Sequence, residues 1–511
     1  MKDTLTHAPL DDPHAVPTRS EAHRIAIAFT VALAFLMQGV DTTLLTIAIP
    51  RIAGDLQRSP LSLHLLVTAY LLSLAVFMPV SGWFADRFGA RRVFCGAVGL
   101  FTLGSVLAAF MPTPEAMVPC RVLQGFGGAL MTPVGRMIVL RAFGPDRTLD
   151  GMTWLTVPVL IGPLIGPLVG AALIEFYHWR LLFFVNLPIC LGAVAGTLWL
   201  VPPLPALPKA EVERFDLAGF ALAGLALVLF QLGLEAISLW GAVGLALLPL
   251  SVLVFALYRR HAQRVAHPAL VLSLFSGQSF RVGVIAGGIG RVGLNSTVFL
   301  LPLFLQLAMG FRPLHAGLLS AIGALGSLVS KPLLKRLITR HGYRPVLIAL
   351  TLTGSLTLAA FAPVTPGWPV WVIVALVVVS GAIRTLFFNA VNTLTYDHLQ
   401  PRQLSRAVAT AGVFQQLTMG LGISVAAMLL HLLQGEAAAL EPEHFHAAYL
   451  LMALVPLFAL PSLARLVPGP ARASAPLRKT TPPAENKSIG GARALADTDP
   501  KLAGRRGDTP A

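Results

Sequence analysis

Residues 25–49 read IAIAFTVALAFLMQGVDTTLLTIAI, an apolar run in which Asp41 is the one ionisable side chain. A helix crosses the hydrocarbon core of a bilayer with about 20 predominantly apolar residues, so this run is long enough to span a membrane. Comparable runs recur along the chain, whose 511 residues are 55% hydrophobic and only 12% charged. A soluble domain carries charge on about a quarter of its residues. The composition therefore predicts an all-α polytopic membrane protein.

Fourteen such segments are predicted to be membrane-spanning helices. They lie near residues 25–49, 62–84, 93–112, 116–140, 152–176, 180–202, 217–235, 240–258, 281–309, 314–335, 345–364, 369–394, 408–433 and 446–467. Glycine and proline recur inside them, which lipid-embedded helices tolerate where neighbouring helices pack closely.

The loops between these segments differ in charge. If the N-terminus is cytoplasmic, the predicted outer loops carry only Arg51, Arg58, Arg180 and Arg312, and most other basic loop residues fall on the inner side. The positive-inside rule predicts this asymmetry for an even number of spans with both termini in the cytoplasm. The net charge of +15 is therefore explained by topology. The sequence contains no basic face of the kind that would indicate a nucleic-acid partner.

A short motif occurs twice. Residues 86–91 and 339–344 both read x-Arg-x-Gly-x-Arg in predicted inner loops, and many transporters are built from repeated halves. Five regions are predicted: a disordered cytoplasmic N-terminus (1–24), a six-helix half (25–202), a linker with two extra helices (203–279), a second six-helix half (280–467) and a disordered cytoplasmic tail (468–511).

Four ordered motifs carry a family resemblance. They are DTTLLTIAIP at 41–50, GWFADRFGARR at 82–92, RVLQGFGGA at 121–129 and GPLIGPLVG at 162–170. In this order they resemble the signatures of the fourteen-helix drug:proton antiporter branch of the major facilitator superfamily. The resemblance covers roughly residues 25–467. At Gly170-Ala171 the chain departs from the glycine pair that is usual in this family.

Asp41 is the leading candidate for proton coupling. Its position well inside the first span is costly for an ionisable group, and such groups usually face a cavity or a partner. Burial favours the neutral acid and a nearby cation favours the carboxylate, which is the balance that a reversible proton site needs. The alternative is a structural ion pair.

Arg121 is the natural partner of Asp41, because the two residues have comparable predicted depths below the outer surface. The resemblance implies a role for Arg121 in proton coupling. The alternative is an arginine whose side chain merely reaches outer water.

Four residues are candidates for the substrate cavity: Gln38, Arg291, Asn295 and Gln306. Arg291 is predicted near mid-membrane and either pairs with Asp41 in one conformation or contacts the substrate. Alternatively, backbone carbonyls or Asn295 satisfy it. Gln38 and Gln306 could equally serve as interhelical hydrogen bonds, and Arg384 is predicted to be structural.

Two motifs are assigned conformational roles. Gly162, Gly166 and Gly170 share one helix face that allows close packing, and Pro163 and Pro167 are expected to bend the same helix. The resemblance implies that a second motif holds the cytoplasmic side closed through Asp86. That motif comprises Gly82, Asp86, Arg87, Gly89 and Arg91, and a solvated loop is the alternative.

These features predict a proton-coupled antiporter of the bacterial inner membrane that exports small amphipathic compounds or drugs. The expected partners are the substrate, protons and the lipid bilayer. No catalytic, metal or cofactor site is expected, and the absence of a phosphate-binding Gly-Lys-Ser/Thr loop argues against ATP as the energy source. Two alternatives stay open: a proton-linked importer or facilitator of a polar metabolite, and a transporter-like sensor that moves nothing. The sequence also leaves open a periplasmic adaptor and an outer-membrane channel.

Overall fold

A computed structural model of the chain describes residues 20–466 except 145–146, 204–214, 241, 398, 400 and 436–439. The described residues form α-helices joined by short turns. The helices are α1 (Glu21–Asp55), α2 (His64–Phe77), α3 (Ser81–Phe88), α4 (Ala90–Phe110), α5 (Pro114–Phe143), α6 (Thr148–Phe176), α7 (Leu181–Phe184), α8 (Asn186–Leu200), α9 (Leu217–Trp240), α10 (Ala242–Ala262), α11 (Gln278–Asn295), α12 (Thr297–Leu303), α13 (Pro313–His341), α14 (Tyr343–Ala359), α15 (Val370–Tyr396), α16 (Pro401–Gln434), α17 (Pro442–Leu454) and α18 (Leu460–Ala464).

Every predicted apolar segment overlaps one or more of these helices. Ten described helices are long and apolar enough to cross a membrane, and shorter apolar helices occur at Ile161–Phe176, Pro313–Gly326 and Tyr343–Ala359. Large apolar side chains such as Trp199 (87% exposed) and Trp371 (73%) point away from the protein interior, as lipid-facing residues do. The chain is thus a multi-pass membrane protein, and the number fourteen stays a prediction.

The structure corrects two details of the prediction. Helix α1 begins at Glu21, inside the N-terminal region predicted to be disordered, because the Ser20 side chain accepts a hydrogen bond from the backbone N–H of His23 and caps the helix. The ninth segment is not one continuous α-helix. Ser296 separates α11 from α12 and donates to the Gly293 carbonyl, and a π-helical turn follows at Phe304–Ala308. The predicted tail, 468–511, lies outside the described residues.

The helices pack in two sets, which we call the first helix group (α1–α8) and the second helix group (α11–α18). Within the first group, α1 packs on α5, α6 and α8, and within the second, α15 packs on α11, α13 and α14. The groups meet where α6 contacts α13 and where α2 contacts α16. Helices α9 and α10 pack on each other, and α9 also contacts α2 and α16. The predicted domain boundaries stay predictions.

The glycine of the repeated motif has a positive φ at both of its sites. Gly89 has φ 86° and ψ 134° between α3 and α4, and Gly342 has φ 80° and ψ 172° between α13 and α14. A positive φ strains any residue that carries a Cβ atom. Each glycine therefore lets one helix end and the next begin without an intervening loop.

Candidate functional site

The Asp41 carboxylate lies at the centre of a buried polar cluster in the first helix group. Arg121 Nη1 donates to Asp41 Oδ2 at 2.7 Å, Gln124 Nε2 donates to Oδ1 at 2.8 Å, and Asn186 Nδ2 donates to Oδ1 at 3.0 Å. We call these four residues the Asp41 cluster. Charge-assisted hydrogen bonds of this length are the strong ones in proteins, so the cluster ties α1 to α5 and α8.

Further contacts fix the partners of Asp41 in place. Arg121 Nε donates to the Leu66 carbonyl at 2.9 Å, and its guanidinium carbon lies 4.8 Å from the centre of the Tyr70 ring. Asn186 Nδ2 also donates to Ser105 Oγ at 2.7 Å. Helices α2 and α4 therefore help to orient the groups that hold the carboxylate.

The Asp41 cluster is sealed from solvent. Asp41 is 4% exposed, and Arg121, Gln124 and Asn186 are 0% exposed. In such a site the attraction between the ion-pair partners is weakly screened, but leaving either charge unpaired is costly. The predicted partnership of Asp41 and Arg121 is therefore present as a desolvated ion pair. Gln124 and Asn186 were not predicted as part of it.

The glycine face of α6 packs against α1, on a side of α1 different from the one that carries Asp41. A Cβ atom at Gly162 would meet the Leu36 carbonyl at 3.2 Å, and one at Gly170 would meet Leu44 Cδ2 at 2.9 Å. A Cβ atom at Gly166 would collide with the hydroxyl of Thr43. The predicted close-packing face therefore contacts the helix that carries Asp41.

A cavity of about 70 Å³ lies between the two helix groups. The first group contributes Thr43, Thr46, Pro163 and Pro167, and the second contributes residues of α12, α13 and α15, including Arg384. Pro163 and Pro167, predicted for their effect on the helix, thus line this cavity. Arg384, predicted to be structural, also lines it.

None of the four predicted cavity residues is among those that line this cavity. Thr132 donates to Gln38 Oε1 at 2.7 Å, Asn295 donates to the Met419 carbonyl at 3.1 Å, and Gln306 donates to the Ile47 carbonyl at 3.1 Å. All three thus make interhelical hydrogen bonds in this conformation. Their roles in substrate binding stay predictions.

Among the described contacts, Arg291 forms no ion pair with Asp41 and no hydrogen bond with Asn295. Its Nη2 donates to Asn392 Oδ1 at 2.6 Å, and its guanidinium carbon lies 5.6 Å from the Phe388 ring centre. Both partners belong to α15 of the second helix group. A direct pair with Asp41 is therefore absent from the described conformation.

Glu235 is a second buried carboxylate and lies outside the Asp41 cluster. Glu235 is 7% exposed, pairs with His64 and accepts from Ser424 Oγ at 2.7 Å. The predicted seventh segment ended at Glu235, whereas α9 continues to Trp240, so the residue was placed at a helix end.

Several contacts join the two helix groups on the predicted outer side. Arg312 pairs with Glu175, and the Leu314 backbone N–H donates to the same carboxylate at 3.2 Å. The His64–Glu235–Ser424 contacts connect α2, α9 and α16. Together with the hydrogen bond from Gln306 to α1, they bridge the two helix groups on this side.

The predicted gating motif occupies α3 and the turn after it. Gly82 has free space beside it, since a Cβ atom placed there would meet nothing within 4 Å. The Arg87 guanidinium carbon lies 5.3 Å from the Trp83 ring centre, and Arg91 Nη2 donates to the Leu198 carbonyl at 2.6 Å. Arg91 thus links the motif to α8. Asp86 lies in the last turn of α3, and its gating role stays a prediction.

Comparison with known proteins shows the family. The model of the Major Facilitator Superfamily matches residues 31–293 and 283–500. Among similar proteins is one of Cronobacter sakazakii named "Putative multidrug resistance protein MdtD", which is 36% identical over 444 residues, 85% of this chain and 92% of the relative. A protein of the same name from Serratia proteamaculans is also 36% identical, over 85% of this chain and 91% of the relative.

Solved structures of low identity share the fold. A mutant of the nucleoside transporter NupG has a TM-score of 0.61 at 18% identity and covers 86% of this chain and 99% of its own. A POT family transporter in complex with 5-aminolevulinic acid has a TM-score of 0.60 at 14% identity and covers 89% and 100%. Helix packing, ordered motifs and similarity to the MdtD proteins agree: this chain is a transporter, not an enzyme, and it belongs to the Major Facilitator Superfamily.

Proposed function

We propose that the chain is a proton-coupled antiporter that exports small amphipathic compounds or drugs by alternating access. The observation that carries this proposal is the buried ion pair of Asp41 and Arg121, with Gln124 and Asn186 as further donors to the carboxylate. The names of the MdtD relatives, which refer to multidrug resistance, support the choice of substrate class.

Protonation of Asp41 would change the balance of charge in the Asp41 cluster. A neutral carboxylic acid accepts hydrogen bonds more weakly than a carboxylate, and it leaves the Arg121 guanidinium without its counter-charge in a sealed site. Such an unpaired buried charge is unfavourable by ~3–5 kcal/mol. Proton binding therefore weakens the attachment of α1 to α5 and α8.

The glycine face of α6 offers a route from this change to the helix-group interface. Helix α1 contacts α6 at Gly162, Gly166 and Gly170, and α6 in turn contacts α13, where a Cβ atom at Gly317 would meet the Pro167 carbonyl at 2.6 Å. Closely packed helices of this kind move as units, because packed interfaces switch between discrete arrangements. A shift of α1 would then be transmitted to the interface that opens and closes the cavity.

The proposed location is the bacterial inner membrane, and the proposed orientation has both termini in the cytoplasm. The excess of basic residues in the predicted inner loops supports a bacterial inner-membrane protein with both termini in the cytoplasm. In that orientation the contacts around Gln306, Glu175 and His64 close the periplasmic side. Release of substrate to the periplasm then requires these contacts to separate.

Everted membrane vesicles test the proposal. A drug-susceptibility panel on a pump-deleted strain that expresses the chain first identifies a substrate. Addition of that substrate should then dissipate a pre-formed pH gradient in wild-type vesicles and leave it unchanged with Asp41→Asn. Substrate uptake that proceeds without any proton movement would reject antiport. A transporter-like sensor would yield no substrate-dependent flux, and a proton-linked importer would move substrate and protons in the same direction.

A further inference from the structure

We propose that the cavity between the helix groups binds an organic anion, with Arg384 as the residue that contacts the anionic group. This inference rests on the proposed export function and names the charge class of its substrate. It concerns the second helix group and the cavity. It is therefore separate from the proton site at Asp41.

Arg384 lies at the wall of the cavity and has no counter-ion in the part of the chain that the structure describes. Its side chain is half-buried, and within the described residues it makes no ion pair or hydrogen bond. A guanidinium in the interior of a membrane protein is normally paired with an acid or with backbone carbonyls, because its desolvation is costly. The geometry therefore leaves Arg384 available to a group inside the cavity.

The other residues that line the cavity favour an anion over a cation. None of them, in the described part of the chain, is a carboxylate. The hydroxyls of Thr43, Thr46 and Ser320 already donate to backbone carbonyls of their own helices, whereas Thr297 and Ser380 supply hydroxyl groups that have no described acceptor. Hydroxyl groups can donate to a carboxylate or phosphate oxygen. An organic cation would meet the Arg384 charge without a compensating acid, and that repulsion would oppose its binding.

A second observation extends the positive character along the helix-group interface. Arg136 of α5 and Arg291 of α11 both lie within electrostatic range of the Tyr396 hydroxyl on α15. Arg291 is paired only with the neutral amide of Asn392 among its described contacts. Arg136 belongs to the first helix group and Tyr396 to the second, so this pair of arginines faces the boundary between them. Two arginines without a carboxylate partner among the described residues attract anions to this boundary.

The apolar residues that line the cavity indicate the chemistry of the ligand outside its anionic group. Leu301, Phe361 and Val377 line the same cavity, so the ligand should carry an apolar body next to its anionic group. Sites for drug-sized ligands occupy about 300–1,000 Å³, which is larger than the about 70 Å³ present here. The helix groups must therefore move apart to admit it, as alternating access requires.

The test uses three fluorescent probes that share one ring system and differ in charge: 1-naphthylacetate, 1-naphthylacetamide and 1-(aminomethyl)naphthalene. Uptake of each is measured in everted vesicles that contain the full-length chain and in vesicles without it. We expect saturable, protein-dependent uptake of the acetate. Uptake of the amine should be lower by at least about tenfold, the effect of one charge-assisted contact.

Variants assign the effect to Arg384. Arg384→Gln should lower acetate uptake by about tenfold, and Arg384→Lys should retain part of it, because a point charge remains. Arg260→Gln, at an exposed position in the last turn of α10, is the matched control and should leave uptake unchanged. Because Arg384→Gln could impair folding, a second measurement uses the wild type alone. The acetate should raise the melting temperature of the purified protein more than the amide or the amine does.

The outcomes separate this inference from the proposed function. If the amine is exported in exchange for protons and the acetate neither moves nor stabilises the protein, the anion site is wrong and the antiporter proposal stands. Equal acetate uptake by wild type and Arg384→Gln would remove Arg384 from the site. If the vesicles transport and bind none of the probes, the anion inference falls, and the susceptibility panel decides the export function independently.

Discussion

Arg121 and Asp41 form an ion pair with an Nη1–Oδ2 distance of 2.7 Å, in which the side chains are 0% and 5% exposed. Arg121 lies on α5 and Asp41 on α1, and their charged groups are in direct contact. Because both charges are desolvated, the pair holds the helices together only while both partners are charged. This dependence on charge is the physical basis of the proton coupling proposed above.

A double-mutant cycle tests the ion pair. Arg121→Gln should destabilise the protein by ~3–5 kcal/mol, because it leaves a buried carboxylate without its counter-charge. Combining it with Asp41→Asn should cost less than the sum of the two single changes, with a coupling energy of ~0.5–3 kcal/mol. Thermal unfolding of the purified protein measures this. Strictly additive losses would show that the two charges do not stabilise each other.

The packing of α6 on α1 is tested at Gly166. Gly166→Ala places a methyl group on the Thr43 hydroxyl, and overpacking of this kind costs ~1–3 kcal/mol. We expect lower stability and slower transport, with partial recovery in Gly166→Ala/Thr43→Ala. Gly192→Ala on α8 is the control, because nothing lies within 4 Å of that position. If Gly166→Ala transports as fast as Gly192→Ala, the close contact has no functional role.

Opening of the predicted outer side is tested at Glu175. Loss of its contacts with Arg312 and Leu314 in Glu175→Gln should favour the outward-open state. Arg312 is 71% exposed, so the ion pair contributes at most about 1 kcal/mol, or roughly a fivefold change in population. The measurement is the rate at which an impermeant maleimide added outside labels Thr46→Cys.

This labelling experiment needs a background without the free thiols Cys95, Cys120 and Cys190. Asp55→Asn is the control, since the Arg51–Asp55 pair is exposed and lies within one helix. Labelling of the Glu175→Gln protein at the same rate as the control would contradict a closing role for Glu175.

The buried pair of His64 and Glu235 predicts a stability effect in the extra helices. His64→Ala should destabilise the protein by ~3–5 kcal/mol, since a buried carboxylate would lose its main partner. His178→Ala should change stability by less than ~0.5 kcal/mol, because His178 is 54% exposed and lies 3.9 Å from Asp55. Thermal unfolding of both variants provides the comparison. Equal melting temperatures would show that the pair does not secure α9 to α2.

Helix positions could be predicted from the sequence because membrane crossing requires long apolar runs, which are local features. The break at Ser296 and the π-helical turn at Phe304–Ala308 could not, because they depend on hydrogen bonds and packing that no apolar pattern records. The partnership of Asp41 and Arg121 could also be predicted, since both positions have a depth that follows from helix geometry.

The remaining members of the Asp41 cluster differ in how readily the sequence indicates them. Gln124 follows Arg121 by three positions, which places both on one face of α5, so spacing alone could have added it. Asn186 is far from Asp41 in sequence, and only the packing of α8 on α1 brings them together. Arg384 was predicted to be structural from its depth in the membrane alone. Its position at the cavity could not be predicted, because the cavity forms only when the two helix groups pack together.

Counterflow and accumulation in proteoliposomes test the central claim most directly. With a substrate identified by the susceptibility panel, the wild-type protein should exchange labelled for unlabelled substrate and also accumulate substrate against its gradient when a pH gradient is imposed. Asp41→Asn should retain exchange and lose accumulation, while Asp41→Glu should keep some of both because a titrating carboxylate remains. Accumulation by Asp41→Asn at the wild-type rate would contradict the assignment of Asp41 as the proton site.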